Sequence, residues 1–197
     1  HVPTATHWFP PMKKFVFAPA LAALAMFVFG AIYWMSPLPY KALNRVPDDA
    51  AAGAALARIF PATGAYFVPG MYLDAKQHEE LTKRGPIAEV HYIDHGMALV
   101  DPMQLVQGYI HEFVICLVLV MLLEKAGPGF KCWSCRAKFC AMIGLLFALC
   151  DYGSSVWWYH SIAWETSQAV YDFLSFAIVG LVLGKLLTPK PAPAPAT

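Results

Sequence analysis

Four ionisable residues interrupt long apolar stretches of this sequence: His111 and Glu112 in one, Asp151 in a second and Asp172 in a third. A charge at mid-bilayer costs roughly 3 kcal/mol even on lenient insertion scales, so such residues mark either a hydrogen-bonded knot or a site. At about 1.5 Å per helical residue, His111 lies roughly 10 Å below Gln104, Asp151 a similar depth below Trp158, and Asp172 roughly 6 Å below Gln168. Three of the four thus share one layer. Gly144, Ala148, Asp151 and Ser155 follow one helix face, as do Gln168, Asp172 and Ser175, and Gln104, Gln107, Gly108 and His111. The economical packing turns these faces together and predicts an intramembrane cluster of His111, Asp151 and Asp172. Three readings stay open for it. It is a structural knot fixing helix register or meeting headgroups, a proton-transfer or ligand site, or a metal or haem site. His111 alone is a thin donor set for haem, and no metal is assigned.

Cys132, Cys135 and Cys140 form C-x2-C-x4-C, with Cys116 and Cys150 inside apolar runs. A zinc or iron–sulfur site needs four ligands, and no fourth Cys or His lies nearby. The three cysteines read as reduced bystanders, as a redox pair, or as a metal site completed by a partner chain. His91 and His95 of HYIDH, four apart with Asp94 between them, share a face if they lie on a strand; they read as a surface metal site or as solvated side chains. There is no Gly-rich phosphate loop, nucleophile elbow or HExxH.

The elements that position these residues are membrane spans. The chain has 197 residues, 58% of them hydrophobic and 14% charged, against about 25% charged for soluble domains. Its 14 basic and 13 acidic residues supply no basic stripe, which excludes a nucleic-acid partner. Apolar runs at 15–35, 104–123, 139–158 and 168–187 each reach the roughly 20 residues a crossing needs. Lys13-Lys14 before the first run resembles a secretory signal. The run lacks a small-residue cleavage site and continues into Tyr33-Trp34, which makes it a retained anchor. Gly180 and Gly184 form a small-xxx-small pair for close helix approach.

Lys13, Lys14, Lys125, Lys131, Arg136, Lys138, Lys185 and Lys190 flank alternate ends of the runs, and 159–167 has no Lys or Arg. By the positive-inside rule the segments 1–14, 124–138 and 188–197 are cytoplasmic, while 36–103 and 159–167 lie outside. Tyr33, Trp34, Trp157, Trp158, Tyr159 and Trp164 then gather at the outer face. They form an interfacial belt or a cage for a quinone, pigment or lipid headgroup.

The outer segment predicts a small α+β cap. It has a helix from Asp49 to Phe60, a strand at 65–72 interrupted by Pro69-Gly70, a helix capped by Asp74 and ending at Arg84, and a strand over 87–93. Such a piece buries little core and needs support from the spans or from a partner. The tail PKPAPAPAT is polyproline-like, a spacer or a strap. The chain opens on His1 rather than methionine, which reads as a processed or incomplete start. His1 is in principle a copper chelator, without a convincing partner His.

The layout is similar to a group of small, uncharacterised bacterial four-helix integral-membrane proteins. The resemblance rests on the Tyr33-Trp34 to Pro37 exit, the Tyr66–Gly70 turn, Gly85-Pro86 and the Trp/Tyr-rich outer loop. It implies an all-α protein of the bacterial inner membrane and carries no activity. The expectation is therefore a non-catalytic accessory subunit of a larger membrane complex, of the electron-transport or photosynthetic kind, with lipids and other membrane subunits as partners and no cofactor assigned. The rival is a small oxidoreductase or proton-coupled carrier using His111, Asp151 and Asp172.

Overall fold

The computed structural model describes residues 11–127, 130 and 132–188, with side chains from Lys14 onward. Residues 1–10 of the expected cytoplasmic start, His1 among them, the whole PKPAPAPAT tail, and Lys131 lie outside the described residues. The elements are α1 (Pro11–Met35), α2 (Asp49–Ile59), β1 (Gly64–Val68), α3 (Ala75–Arg84), β2 (Ala88–Tyr92), α4 (Pro102–Ala126), α5 (Trp133–Trp157) and α6 (Ile162–Leu187), with a 3-10 turn at Pro39–Ala42. Four helices, α1, α4, α5 and α6, are long and apolar enough to cross a membrane. The chain divides into a unit holding these helices and a second unit, Arg45–Asp101.

In the first unit α1 packs against both α4 and α6, and α5 pairs most extensively with α6. Small side chains permit this. Ala18, Ala22 and Ala23 of α1 are buried with Cys116, Leu119, Val120 and Leu123 of α4 and with Phe176, Val179 and Leu183 of α6. Gly180 and Gly184 of α6 press on α5 as the sequence predicts. A Cβ at Gly184 would meet the Trp133 carbonyl oxygen at 2.5 Å, and one at Gly180 would meet that of Ala137 at 2.7 Å.

Ion pairs fix which ends meet. Glu124, at the end of α4, pairs with Lys14, at the start of α1, and lies 4.0 Å from Arg136, in the first turn of α5. Because the start of α5 also meets Gly184 near the end of α6, the beginning of α1 and the end of α6 share one end of the bundle. At the other end the buried Tyr33 hydroxyl lies 2.8 Å from both the Ser167 carbonyl oxygen and Ser167 Oγ, joining α1 to α6.

The helices outrun the apolar stretches. α5 begins at Trp133 rather than 139 because Cys132 caps it, its Sγ accepting from Cys135 N–H. α6 begins at Ile162 rather than 168, so Trp164, Glu165 and Ser167 are helical and the expected outer loop 159–167 shrinks to a few residues. Glu165 is buried near the α6 start and pairs with His160 Nδ1 at 2.9 Å. Hydropathy marks where lipid contact is affordable, whereas caps decide where the backbone starts to coil.

The second unit follows the sequence reading closely. Asp48 caps α2 by accepting from Ala51 N–H, and Asp74 caps α3 by accepting from Lys76 and Gln77 N–H. Gly85 ends α3 at φ +61°, a left-handed conformation that favours glycine. β1 and β2 pair antiparallel with Gly64 opposite Tyr92 and Val68 opposite Ala88, and α3 is inserted between them. Thr63 Oγ1 and the Asp94 carboxylate and N–H close the open end of this ladder at 2.6 and 3.1 Å. Phe60 packs on Tyr66 and Tyr92, with centroids 4.6 and 5.6 Å apart. Only Phe60 and Pro69 are buried in the whole unit.

Candidate functional site

The expected His111–Asp151–Asp172 cluster forms only in part. Asp151 of α5 and Asp172 of α6 lie within electrostatic reach of one another, both partly buried. His111 is instead exposed, on the same outward stripe as Gln104 and Gln107. Adjacent helical residues point about 100° apart, so α4 can turn only one of His111 and Glu112 inward. Glu112 falls in phase with the buried Cys116, Leu119 and Leu123, and it takes that place.

Glu112 therefore meets α1 and α6 at Gly30. A Cβ on Gly30 would lie 2.9 Å from the Tyr171 hydroxyl and 3.8 Å from Glu112 Oε1, so the glycine opens the gap both groups share. Glu112 Oε2 is buried without a hydrogen-bond partner. One turn further along α6 Ser175 is wholly buried. The Tyr171 hydroxyl reaches toward it, yet Ser175 Oγ makes no hydrogen bond of acceptable geometry. Gln168 Oε1 is a third buried oxygen without a partner. Each such oxygen costs about 1–3 kcal/mol relative to a paired one, so these orphans gather a destabilising term along two turns of α6 and the α4 residue Glu112.

Aromatic rings pack around Tyr171. Tyr171 stacks on Phe29 at 5.8 Å and packs against Tyr33 and Trp34 at 5.3 and 5.2 Å, and Trp34 meets Trp164 at 5.9 Å. The expected aromatic belt thus splits. Tyr33, Trp34 and Trp164 turn into the α1–α6 seam, while Trp157, Trp158 and Tyr159 stay exposed.

The other candidates separate. Cys132 and Cys135 form a disulfide. Cys140 is buried in the seam beside Gly180, so the three sulfurs do not form one donor set. β2 ends at Tyr92, so His91 and His95 do not share a strand face. They meet different carboxylates, Glu89 at 3.3 Å and Asp94 at 2.7 Å. Among the described residues no group of three or more His, Cys, Asp or Glu is placed to hold a metal ion. The sequence signal that could have found Glu112 is its spacing from Cys116, Leu119 and Leu123. The polar stripe through Gln104, Gln107 and His111 outweighed it. Compared with protein-family models, curated proteins and solved structures, the chain matches none.

Proposed function

We propose that this chain is a multi-pass membrane protein serving as an accessory subunit of a larger membrane assembly, gripping its partner through the Arg45–Asp101 unit. One observation carries this reading: the unit buries two residues while exposing Ile59, Met71, Tyr72, Ile87, Met97 and Leu99. A soluble surface rarely gathers apolar side chains at this density without a covering partner. The unit holds five basic and eight acidic residues, and that negative balance disfavours an anionic lipid surface and favours a protein. Lys14, Lys125, Arg136, Lys138 and Lys185 lie at the end of the helical unit where α1 begins and α6 ends, which supports cytoplasmic termini in a bacterial inner membrane.

The test is native extraction in mild detergent, with the wild type and the pair Tyr72→Asp and Leu99→Asp compared. The reading expects a co-migrating assembly that the charged variants lose while remaining folded. Haem or pigment in that assembly would identify an electron-transport or photosynthetic partner. A wild-type chain migrating alone, or an assembly equally stable without the chain, refutes the proposal.

The orphan oxygen of Glu112 favours a second reading, a proton-coupled carrier built on Glu112 and Tyr171 rather than on His111. An intramembrane carboxylate that is not satisfied by its own fold is a natural proton or cation partner. Proton flux into vesicles carrying the purified protein, lost in Glu112→Gln with assembly unchanged, supports this carrier; flux unaffected by the substitution excludes it.

A further inference from the structure

We infer that Cys132–Cys135 is an exchangeable disulfide, a redox site that reacts with dithiols or disulfides of a partner protein through Cys132. Three observations converge on the pair. Cys132 is the N-cap of the 25-residue α5, and its Sγ accepts from Cys135 N–H at 3.1 Å with Ser134 Oγ at 3.3 Å. Those donors and the positive end of the helix remain in place when the bond opens, and they stabilise a thiolate on Cys132. Both sulfurs belong to partly exposed residues, so a reactant can reach them. No other cysteine competes at this site: Cys140 is buried in the α5–α6 seam, Cys116 is buried in α4, and Cys150 lies more than four helical turns along α5.

Arg136 positions the site. Its Nε donates to the Phe130 carbonyl oxygen at 3.0 Å, and its backbone N–H to the Cys132 carbonyl oxygen at 3.3 Å. The chain entering α5 is thereby tied to the helix at the point where Cys132 caps it. The same guanidinium approaches Glu124 of α4, so the redox pair sits beside the ionic contact that joins α4 to α5.

The exchange balances as follows. A thiolate of an incoming dithiol attacks Cys132 Sγ, forming a mixed disulfide, and the electron pair of the broken S–S bond leaves on Cys135, which takes a proton from solvent. The donor's second thiolate then attacks its own sulfur in the mixed disulfide and expels the Cys132 thiolate. The donor ends as a disulfide, and the pair has gained two electrons and two protons in all once Cys132 is protonated. Reversal oxidises the pair and reduces the partner. Which side of the membrane the pair faces decides only its resting state: dithiol in a reducing compartment, disulfide in an oxidising one.

The test uses the full chain in detergent. The wild type is partly reduced in glutathione redox buffers and trapped with an alkylating agent, and the label on each cysteine is read by mass spectrometry. Single mixed disulfides with glutathione should fall on Cys132, and the pair should pass from oxidised to reduced within the range of the buffers. In Cys135→Ser, Cys132 should alkylate at pH 6 about five- to tenfold faster than Cys135 does in Cys132→Ser. A pair that stays oxidised in excess dithiol, mixed disulfides confined to Cys135, or equal alkylation rates overturns the inference.

Discussion

Two glycine-to-alanine substitutions in this chain should have opposite signs, and the contacts fix which is which. At Gly184 an added Cβ lands 2.5 Å from the Trp133 carbonyl oxygen and 3.5 Å from Ala137 N. Carbon–oxygen contact needs about 3.3 Å, so α5 and α6 must part locally by roughly 0.8 Å, a gap that forfeits a quarter to a half of the dispersion well for the atoms it separates. The obstacle is backbone of the opposite helix, which cannot swing aside as a side chain would. Overpacking of this kind costs about 2–3 kcal/mol. The better helix propensity of alanine returns about 1 kcal/mol, which leaves Gly184→Ala destabilising by about 1–2 kcal/mol. Gly53 sits in α2 with nothing within 4 Å of its added Cβ. There the propensity term stands alone, and Gly53→Ala should stabilise α2 by about 0.5–1 kcal/mol. Unfolding in mixed micelles followed by circular dichroism reads the first, and hydrogen exchange of the α2 amides reads the second. A neutral or stabilising Gly184→Ala would refute backbone-to-backbone contact between α5 and α6.

Tyr33→Phe keeps the ring in its seam but removes the hydroxyl bonded to Ser167, and should cost about 1 kcal/mol in the same micelle assay, non-additively with Ser167→Ala. Glu112→Leu, which removes the buried unpartnered oxygen, should leave stability unchanged or raise it by about 1–3 kcal/mol; a large loss would show that the carboxylate holds the fold. The hydrogen bond from Thr63, and then that with His95, hold the Asp94 carboxyl below the usual carboxylate range. A carboxyl depressed in the folded state contributes stability above its unfolded pKa and loses it as pH falls through the folded value. The ladder-closing Thr63–Asp94 contact should therefore hold at neutral pH and weaken only as pH falls below the usual carboxylate range. NMR should follow the Asp94 carboxyl carbon titrating below 3.8, and Asp94→Asn should abolish this acid dependence.

Local signals were legible wherever one residue type decides one local event. Asp48 and Asp74 cap helices, Pro69 stops β1, Gly85 stops α3, and Gly180 with Gly184 marks the close pair. Facing was not legible in α4, because a helix apolar on nearly every side offers no amphipathic phase. The polar stripe through Gln104, Gln107 and His111 favours His111 as the inward residue, and only packing against α1 and α6 selects its neighbour Glu112. Hydropathy also misplaced the starts of α5 and α6. Arg136 and Lys138 in one and Glu165 in the other are helical residues too polar for an apolar run. The pairing of Cys132 with Cys135 is compatible with the spacing, but the spacing also allowed reduced thiols and a metal site completed by a partner chain.

The two units are held by different kinds of interaction, and that contrast bears on function. The helical unit has ties at both ends, Lys14–Glu124–Arg136 at one and Tyr33–Ser167 at the other, with a continuous buried seam between them. The Arg45–Asp101 unit has capped helices and a closed two-stranded ladder, but each cap contributes only about 1 kcal/mol and an isolated two-stranded ladder is marginal in water. Neither α2 nor α3 buries a residue. Local order of this kind fixes the shape of short elements without fixing them against one another, because hydrogen bonds at caps are short-range while mutual orientation needs shared buried area. Exposed side chains such as Tyr72 and Leu99 supply that area only when something covers them. The apolar exposure that leaves this unit weakly held by its own residues is thus the same feature that suits it to a protein partner.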